Sequence, residues 1–288
     1  MQKITQPDLT FFSTIRLEAS GNIIYFLESF HDWKEIVNLY LNGENPFLLG
    51  KGSNVIFASN TKRPIFKLIK KDNLTIVKED NLEVEIKVHS SLNLKTLLQF
   101  CLKEGWSGLE SLAGIPGSMG GVVAMNAGSF GTSIDAMWTR VRIWSQDDVL
   151  DLTKAEIKTG YRYFDPDLKF YLIESIWLKL KKEDKKIVKN KLKNVFLKKK
   201  SKQPLAYPNV GCIFKNPGQE SAGKILDRCG FKGKRRGDLC FSPKHANFLI
   251  NLGKGKPEDA FYLIQLAQEE VFKKEGILLE PEVILVKN

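Results

Sequence analysis

Apolar and polar residues alternate over residues 62–70 and 74–89, the signature of half-buried strands. Residues 141–149 and 170–181 also read as strands. Asn22 to Asn42 reads as a strand (IIYFLES) followed by a helix (HDWKEIVNLYL). Short apolar runs, Phe47-Leu-Leu-Gly and Val55-Ile-Phe-Ala, bracket a turn at residues 50–54. Lys95–Glu104 suits a helix with Leu97, Leu98 and Cys101 inward. Over residues 181–202, Val188, Leu192, Val195 and Phe196 share one helical face. From Pro204 the chain becomes loop-rich and then helical. Lys256-Pro257-Glu258-Asp259 has the proline and first-turn acids of a helix start. Phe261, Ile264, Leu266 and Phe272 give its apolar stripe, and Gly276 its stop. The pattern predicts an α+β protein in three pieces, with no internal repeat.

Composition and charge refine this picture. The chain has 288 residues, 43% of them hydrophobic, enough to bury sizeable cores. No apolar run approaches the roughly 18 residues of a membrane span. The polar start MQKITQPDLT lacks the apolar core of a signal peptide. Four Cys (101, 212, 229, 240) form no CxxC pair, so reduced thiols in a bacterial cytoplasm are expected. Three scattered His (31, 89, 245) predict no metal site. The net charge is +11, and residues 181–202 alone hold eleven Lys against Glu183 and Asp184. That segment reads as an amphipathic linking helix with a solvated Lys face. A basic nucleic-acid-binding protein is the competing class. It predicts aromatics interleaved with the Lys run, and only Phe196 is there.

The most unusual segment is Gly114–Gly131, GIPGSMGGVVAMNAGSFG, with six glycines in eighteen residues. Ile115, Met119, Val122, Val123 and Met125 alternate with them, so this is not low-complexity linker. Glycine lets backbone approach a ligand closely, and a run of N–H groups can hold an anion. A second glycine turn, Gly50-Lys51-Gly52-Ser53-Asn54, lies upstream. Neither is a dinucleotide fingerprint (GxGxxG) or a P-loop (GxxxxGK[ST]). A hairpin needs one or two glycines rather than six. Together the two turns point to a phosphate-bearing cofactor held between two pieces of chain.

In this order, the turns resemble the flavin signatures GGGSN and GIPGxxGGxxxMNAGxxG of the UDP-N-acetylenolpyruvoylglucosamine reductase (MurB) family. Gly160-Tyr161-Arg162 resembles the family's GYR, and Asn209–Pro217 its NAGSxFKNP. Ser221-Ala222-Gly223 with Ile225, and Gly230 to Gly233, are similar to the helix and loop that follow. His245-Ala246-Asn247-Phe248 resembles HANF, and Glu280-Pro281-Glu282-Val283 the terminal LExEV. The motifs span roughly residues 47–286, in a chain as short as the family's compact branch. Four positions depart from the pattern. Cys212 replaces a serine, Lys51 replaces a glycine, Phe164 stands where a serine is expected, and only Gly21 remains of an N-terminal glycine region.

The resemblance implies a two-domain flavin cradle of the PCMH/VAO type plus a C-terminal α+β substrate-binding domain. The expected boundaries are 1–69 with 281–288, 70–182, and 183–280. It implies noncovalent FAD, with NADPH as co-substrate, and reduction of UDP-N-acetylglucosamine enolpyruvate to UDP-N-acetylmuramate. The expected partners are small molecules only, with no nucleic acid, membrane or obligate protein partner. Arg162 becomes the stabiliser of negative charge on the substrate carboxylate, through a bidentate fork. Cys212 becomes the proton donor, chemically reasonable because a thiol is a stronger acid than a hydroxyl. Glu282 is the third catalytic candidate, with Glu280 as fallback. The implied FAD contacts are Gly50, Lys51, Gly52, Ser53, Asn54, Gly114, Ile115, Pro116, Gly117, Ser118, Gly120, Gly121, Asn126, Ala127, Gly128 and Ile173. Substrate contacts are Asn54, Tyr161, Arg162, Lys215 and Asn216. Another oxidoreductase of the same flavin fold is the nearer alternative. Such enzymes often tether flavin through His or Cys, and neither glycine turn contains one.

Overall fold

A computed structural model describes residues 1–69, 71, 73–218 and 220–287. Lys70, at the end of the predicted strand 62–70, and the terminal Asn288 lie outside the described residues. The chain divides into two compact units, neither of them continuous in sequence. The first comprises residues 1–2, 25–50 and 66–199, and the second residues 3–24, 51–65 and 200–288.

The first unit is built on a six-stranded sheet. Its main order is Val149–Thr153, Trp138–Trp144, Leu172–Lys182, Glu83–His89, Leu74–Glu79, all antiparallel, with Trp106–Ser107 added to Leu172–Lys182. The alternation at 83–89 puts Val84, Ile86 and Val88 on one face, fully buried. Helix α2 (Leu94–Glu104) follows and turns Leu97, Leu98 and Cys101 into the same core, as its spacing predicts. Gly105, at φ 77, ends it in the left-handed conformation. A second cluster gathers around helix α1 (Phe30–Leu41), where Trp33 stacks on Phe170 at 4.8 Å and its Nε1 donates to the Ser145 carbonyl.

The glycine segment is not a loop throughout. Met119–Ala124 forms a short helix, α3, whose Met119, Val122 and Val123 enter the core. Its start is tied to residues 90–93, where Gly120 N donates to Ser90 O and Met119 N to Leu92 O. A Cβ at Gly120 would stand 2.9 Å from the Ser90 Cβ, so glycine permits that approach.

The Lys-rich segment forms helix α4 (Lys185–Lys202), residues through Lys199 belonging to this unit. Its inward face departs from expectation. Val188 is buried, and Leu192 and Val195 pack on the core, but Phe196 is 45% exposed. The next stripe position is Lys199, which is 2% exposed. The lysines of this helix are therefore not all solvated.

The second unit carries a four-stranded antiparallel sheet in the order Asn209–Cys212, Phe248–Asn251, Leu239–Phe241, Arg235–Arg236. Helices α5 (Ala222–Arg228) and α6 (Pro257–Glu275) pack on it. In α6 the buried stripe is Ala260, Leu263, Ile264, Ala267 and Val271, and Gly276 closes the helix at φ 68. Phe272, expected inside, is 57% exposed, while Phe261 and Leu266 flank the core. Ala260 and Ala267 are fully buried in this stripe, and a rule based on large side chains overlooks them. The terminal strand Ile284–Val286 returns to pair in parallel with Val55–Phe57.

Candidate active site

Within the second unit, the backbone that follows Cys212 is bonded to that of Glu282, and Asn54 holds Glu282 in turn. The strand Asn209–Cys212 is irregular, with a register break between Asn209 and Cys212 and Gly211 at φ 81. Beyond the break, side chains take over the pairing. Asn247 Oδ1 accepts from Phe214 N at 2.9 Å, and Asn247 Nδ2 donates to Phe214 O at 2.8 Å. Ile213 N donates to Asn247 O. On the other side, Glu282 N donates to Ile213 O and Lys215 N to Glu280 O, both through the bridge between Phe214 and Pro281. Asn54 Nδ2 donates to Glu282 O at 2.9 Å, and Ile284 N to Asn54 O. The segment just after the thiol is thus held from both flanks. Asn247 was part of a sequence motif but carried no role from sequence alone. Its signal in the sequence is an asparagine between two apolar residues, Ala246 and Phe248, and the structure leaves it 1% exposed.

Cys212 is partly accessible, whereas Cys101, Cys229 and Cys240 are buried. Burial pushes the Cys101 thiol up to about 12, and burial also raises Cys229 and Cys240. Those three read as packing residues. Lys215 Nζ pairs with Glu280 Oε1 at 2.5 Å, and Asn216 Oδ1 accepts from Ala222 N at the start of α5.

The turn holding Lys51, Gly52 and Ser53 packs on the N-terminal strap of the same unit. Thr14 N donates to Gly52 O, and Ser13 Oγ donates to Val55 O. A Cβ at Gly52 would lie 1.8 Å from Phe12 O, and φ is +70. Gly52→Ala is expected to destabilise the protein by more than about 3 kcal/mol, because steric overlap and left-handed strain combine. Gly43, at φ +85 with open space around it, is the control and should cost only about 1 kcal/mol. Urea unfolding of the two variants checks this, and equal losses would remove the packing argument.

In the first unit, Gly160 and Tyr163 face each other across a two-residue turn made of Tyr161 and Arg162. Arg162 has φ 55, a left-handed conformation unusual for a side-chain-bearing residue. Its guanidinium points at the glycine segment, with NH1 3.4 Å from Asn126 O and NH2 3.3 Å from Gly128 O. The Arg162 guanidinium also lies 5.0 Å from the Tyr161 ring centre. Asn126, itself at φ 37, donates from Nδ2 to Gly160 O at 2.7 Å and accepts from Asp135 N. Asn126 therefore ties the arginine hairpin to the glycine segment. Phe164, where the family pattern has serine, is buried against Trp138.

The two glycine turns converge on one hydroxyl in this unit. A Cβ at Gly50 would lie 2.8 Å from Ser118 Oγ, and one at Gly121 3.5 Å from it. Lys67 Nζ holds Gly50 O at 2.8 Å. Ile115 and Ala127 pack on the core, Gly117 O accepts from Leu94 N, and Gly128 pairs with Ser133. Ile173 is 5% exposed within its strand. Lys51 and Pro116 are exposed.

Comparison with known proteins places this arrangement. Residues 23–148 match the family model described as FAD binding domain, and residues 203–286 the one described as UDP-N-acetylenolpyruvoylglucosamine reductase, C-terminal domain. A UDP-N-acetylenolpyruvoylglucosamine reductase of Fusobacterium nucleatum is 32% identical over 100% of both chains. The chain belongs to the UDP-N-acetylenolpyruvoylglucosamine reductase family. The family's enzyme from Nitratidesulfovibrio vulgaris is 38% identical over 84% of this chain and 83% of its own. The crystal structure of the Thermus caldophilus reductase superposes with a TM-score of 0.82 at 26% identity, covering 99% of this chain and 98% of that one.

The residues fit the FAD that the family uses. A Cβ at Gly50 would overlap the Ser118 hydroxyl and one at Gly121 would touch it, so the glycines leave bare backbone at the place where the two turns meet, as a close-lying cofactor requires. Among the described residues, no helix is long and apolar enough to cross a membrane.

Proposed function

We infer that this chain is an FAD-dependent, NADPH-driven reductase that converts UDP-N-acetylglucosamine enolpyruvate to UDP-N-acetylmuramate for peptidoglycan precursor synthesis. The relationship to named reductases over the full chain carries this reading. The site residues are assigned on a second footing, as a proposal supported by their local geometry. FAD, when bound, supplies hydride chemistry and is reloaded by NADPH. The rest falls to the protein. Reduction of the enolpyruvyl double bond adds a hydride to the terminal carbon and a proton to its neighbour. Charge develops on the substrate carboxylate between those two events.

Arg162 is assigned to that carboxylate, where a planar guanidinium offers two parallel donors. Cys212 is assigned as proton donor. Its position rests on the paired backbone of Ile213 and Phe214 rather than on a mobile loop. Glu282, whose backbone is bonded to Ile213 on one side and Asn54 on the other, is assigned to the same proton network. Lys215, Asn216, Asn54 and Tyr161 are proposed substrate contacts. We place the enzyme in the bacterial cytoplasm, where its nucleotide substrates reside. The stretches 1–69 with 281–288, 70–182 and 183–280 are proposed as functional divisions that hold flavin, flavin and substrate in turn.

The purified protein should be yellow, and acid precipitation should leave all flavin in the supernatant. NADPH oxidation should depend on added UDP-N-acetylglucosamine enolpyruvate. Flavin retained on the pellet would overturn noncovalent binding, and substrate-independent NADPH oxidation would overturn the reductase assignment.

A further inference from the structure

Helix α4 breaks its own pattern at one place. Positions 188, 192, 195 and 199 form one inward stripe, and the fourth is lysine. Lys199 is 2% exposed, although eight other lysines of this helix have water on their side. Its aliphatic stem lies on the glycine segment, with Cδ 3.4 Å from the point a Cβ of Gly114 would occupy. Nζ donates to Ser111 O at 3.2 Å and stands 5.9 Å from the centre of the Phe130 ring. Gly114 (φ +82) and Phe130 (φ 54), on either side of α3, both hold left-handed backbone.

An ammonium carries three donors and prefers three acceptors. One carbonyl and an aromatic ring are poor compensation for lost water. Burial accordingly pushes Lys199 down to about 8. Its neighbour has a matching deficiency. The Ser111 hydroxyl is buried and has no hydrogen-bond partner among the described residues, while Ser111 O already accepts from both Lys199 and Ser129. A cation and a hydroxyl, buried together beside the glycine-rich segment and both short of partners, are the donors that an anion oxygen would satisfy. A methionine or leucine at 199 would complete the stripe and stabilise the empty protein. A costly polar residue at such a position marks function rather than packing.

We propose that Lys199, with the Ser111 hydroxyl, receives an oxygen of a nucleotide diphosphate bound at the Gly114–Gly131 segment. The proposal rests on the reductase reading, in which FAD, NADPH and the UDP-sugar each carry a diphosphate. The position beside the glycine segment favours that of FAD.

Lys199→Met and Lys199→Arg are compared with wild type. Deflavinated proteins are titrated with FAD, and steady-state KM values are measured for NADPH and the UDP-sugar. Melting of the flavin-free proteins is recorded in parallel. Lys199→Met should weaken one of the three ligands by about 10- to 100-fold, the loss of one charge-assisted hydrogen bond, and Lys199→Arg should restore part of it. Loss confined to FAD identifies the flavin diphosphate, and loss confined to one KM identifies that substrate instead. Flavin-free Lys199→Met should melt at or above the wild-type temperature. Loss of affinity with retained or raised stability is an outcome that a purely structural lysine does not produce. Unchanged affinity for all three ligands, or lower flavin-free stability without loss of affinity, overturns the proposal. Wild-type protein that binds no FAD would instead overturn the reductase reading itself.

Discussion

Cys212→Ala is expected to keep flavin reduction by NADPH near the wild-type rate and to slow re-oxidation by the enolpyruvyl substrate by about 10²–10⁴-fold. The split follows from where a proton is needed. Reduction by NADPH moves a hydride and asks nothing of a thiol whose proposed role is to protonate the substrate. Reduction of the substrate leaves a carbanion-like centre that must be protonated. Cys212→Ser should recover much of the loss, since a hydroxyl fills the same place on the same backbone. Thiol alkylation should imitate Cys212→Ala and be slowed by bound substrate. The reagent is selective here, because the other three thiols are buried and their burial holds them protonated. Stopped-flow absorbance of the flavin separates the two half-reactions. Normal re-oxidation in Cys212→Ala would make the thiol a packing residue.

The parts of this fold that were legible in the sequence are those set by local rules. Helix α2 appears where Leu97, Leu98 and Cys101 demanded it, and α6 starts at Pro257 and stops at Gly276. The alternation over 83–89 gave the inward face of a strand. What escaped depends on partners distant in sequence. Consecutive helical residues lie about 100° apart, so Phe196 sits at the edge of the stripe that Val188, Leu192, Val195 and Lys199 share, but a reading by residue type gives the inward place to the phenylalanine rather than to the lysine, and the structure reverses the two. Likewise, Ala260 and Ala267 lie on the buried inner face of α6, whereas Phe272 was the larger and more obvious choice. At the candidate site, motifs singled out Cys212 and Glu282, and the structure bonds Glu282 N to the carbonyl of Ile213, the residue after Cys212. No local rule announces that Asn247, 33 positions from Phe214, stands in for a missing strand partner. The same holds for Asn126, whose reach to Gly160 spans 34 positions.

Arg162 gives a test in which stability and activity move in opposite directions. Its φ of 55 is a conformation that glycine adopts freely and that costs another residue about 1–2 kcal/mol. A hairpin selected only for folding would carry glycine or asparagine there. Arg162→Gly is therefore expected to leave stability unchanged or raise it by up to about 1 kcal/mol, while lowering turnover by about 10²–10³-fold, the range for removal of one charge-stabilising donor. Arg162→Lys keeps the charge and the strained backbone but loses the planar fork, and Lys cannot reach two carboxylate oxygens in parallel. Its turnover should fall nearly as far as that of Arg162→Gly. Flavin reduction by NADPH should be spared in both, because the developing charge is on the substrate. Thermal melts and single-turnover re-oxidation provide the two axes. Near-normal turnover in Arg162→Lys would show that charge alone suffices. A large loss of stability in Arg162→Gly would show that the contacts of the guanidinium with Asn126 O and Gly128 O hold the hairpin rather than await a substrate.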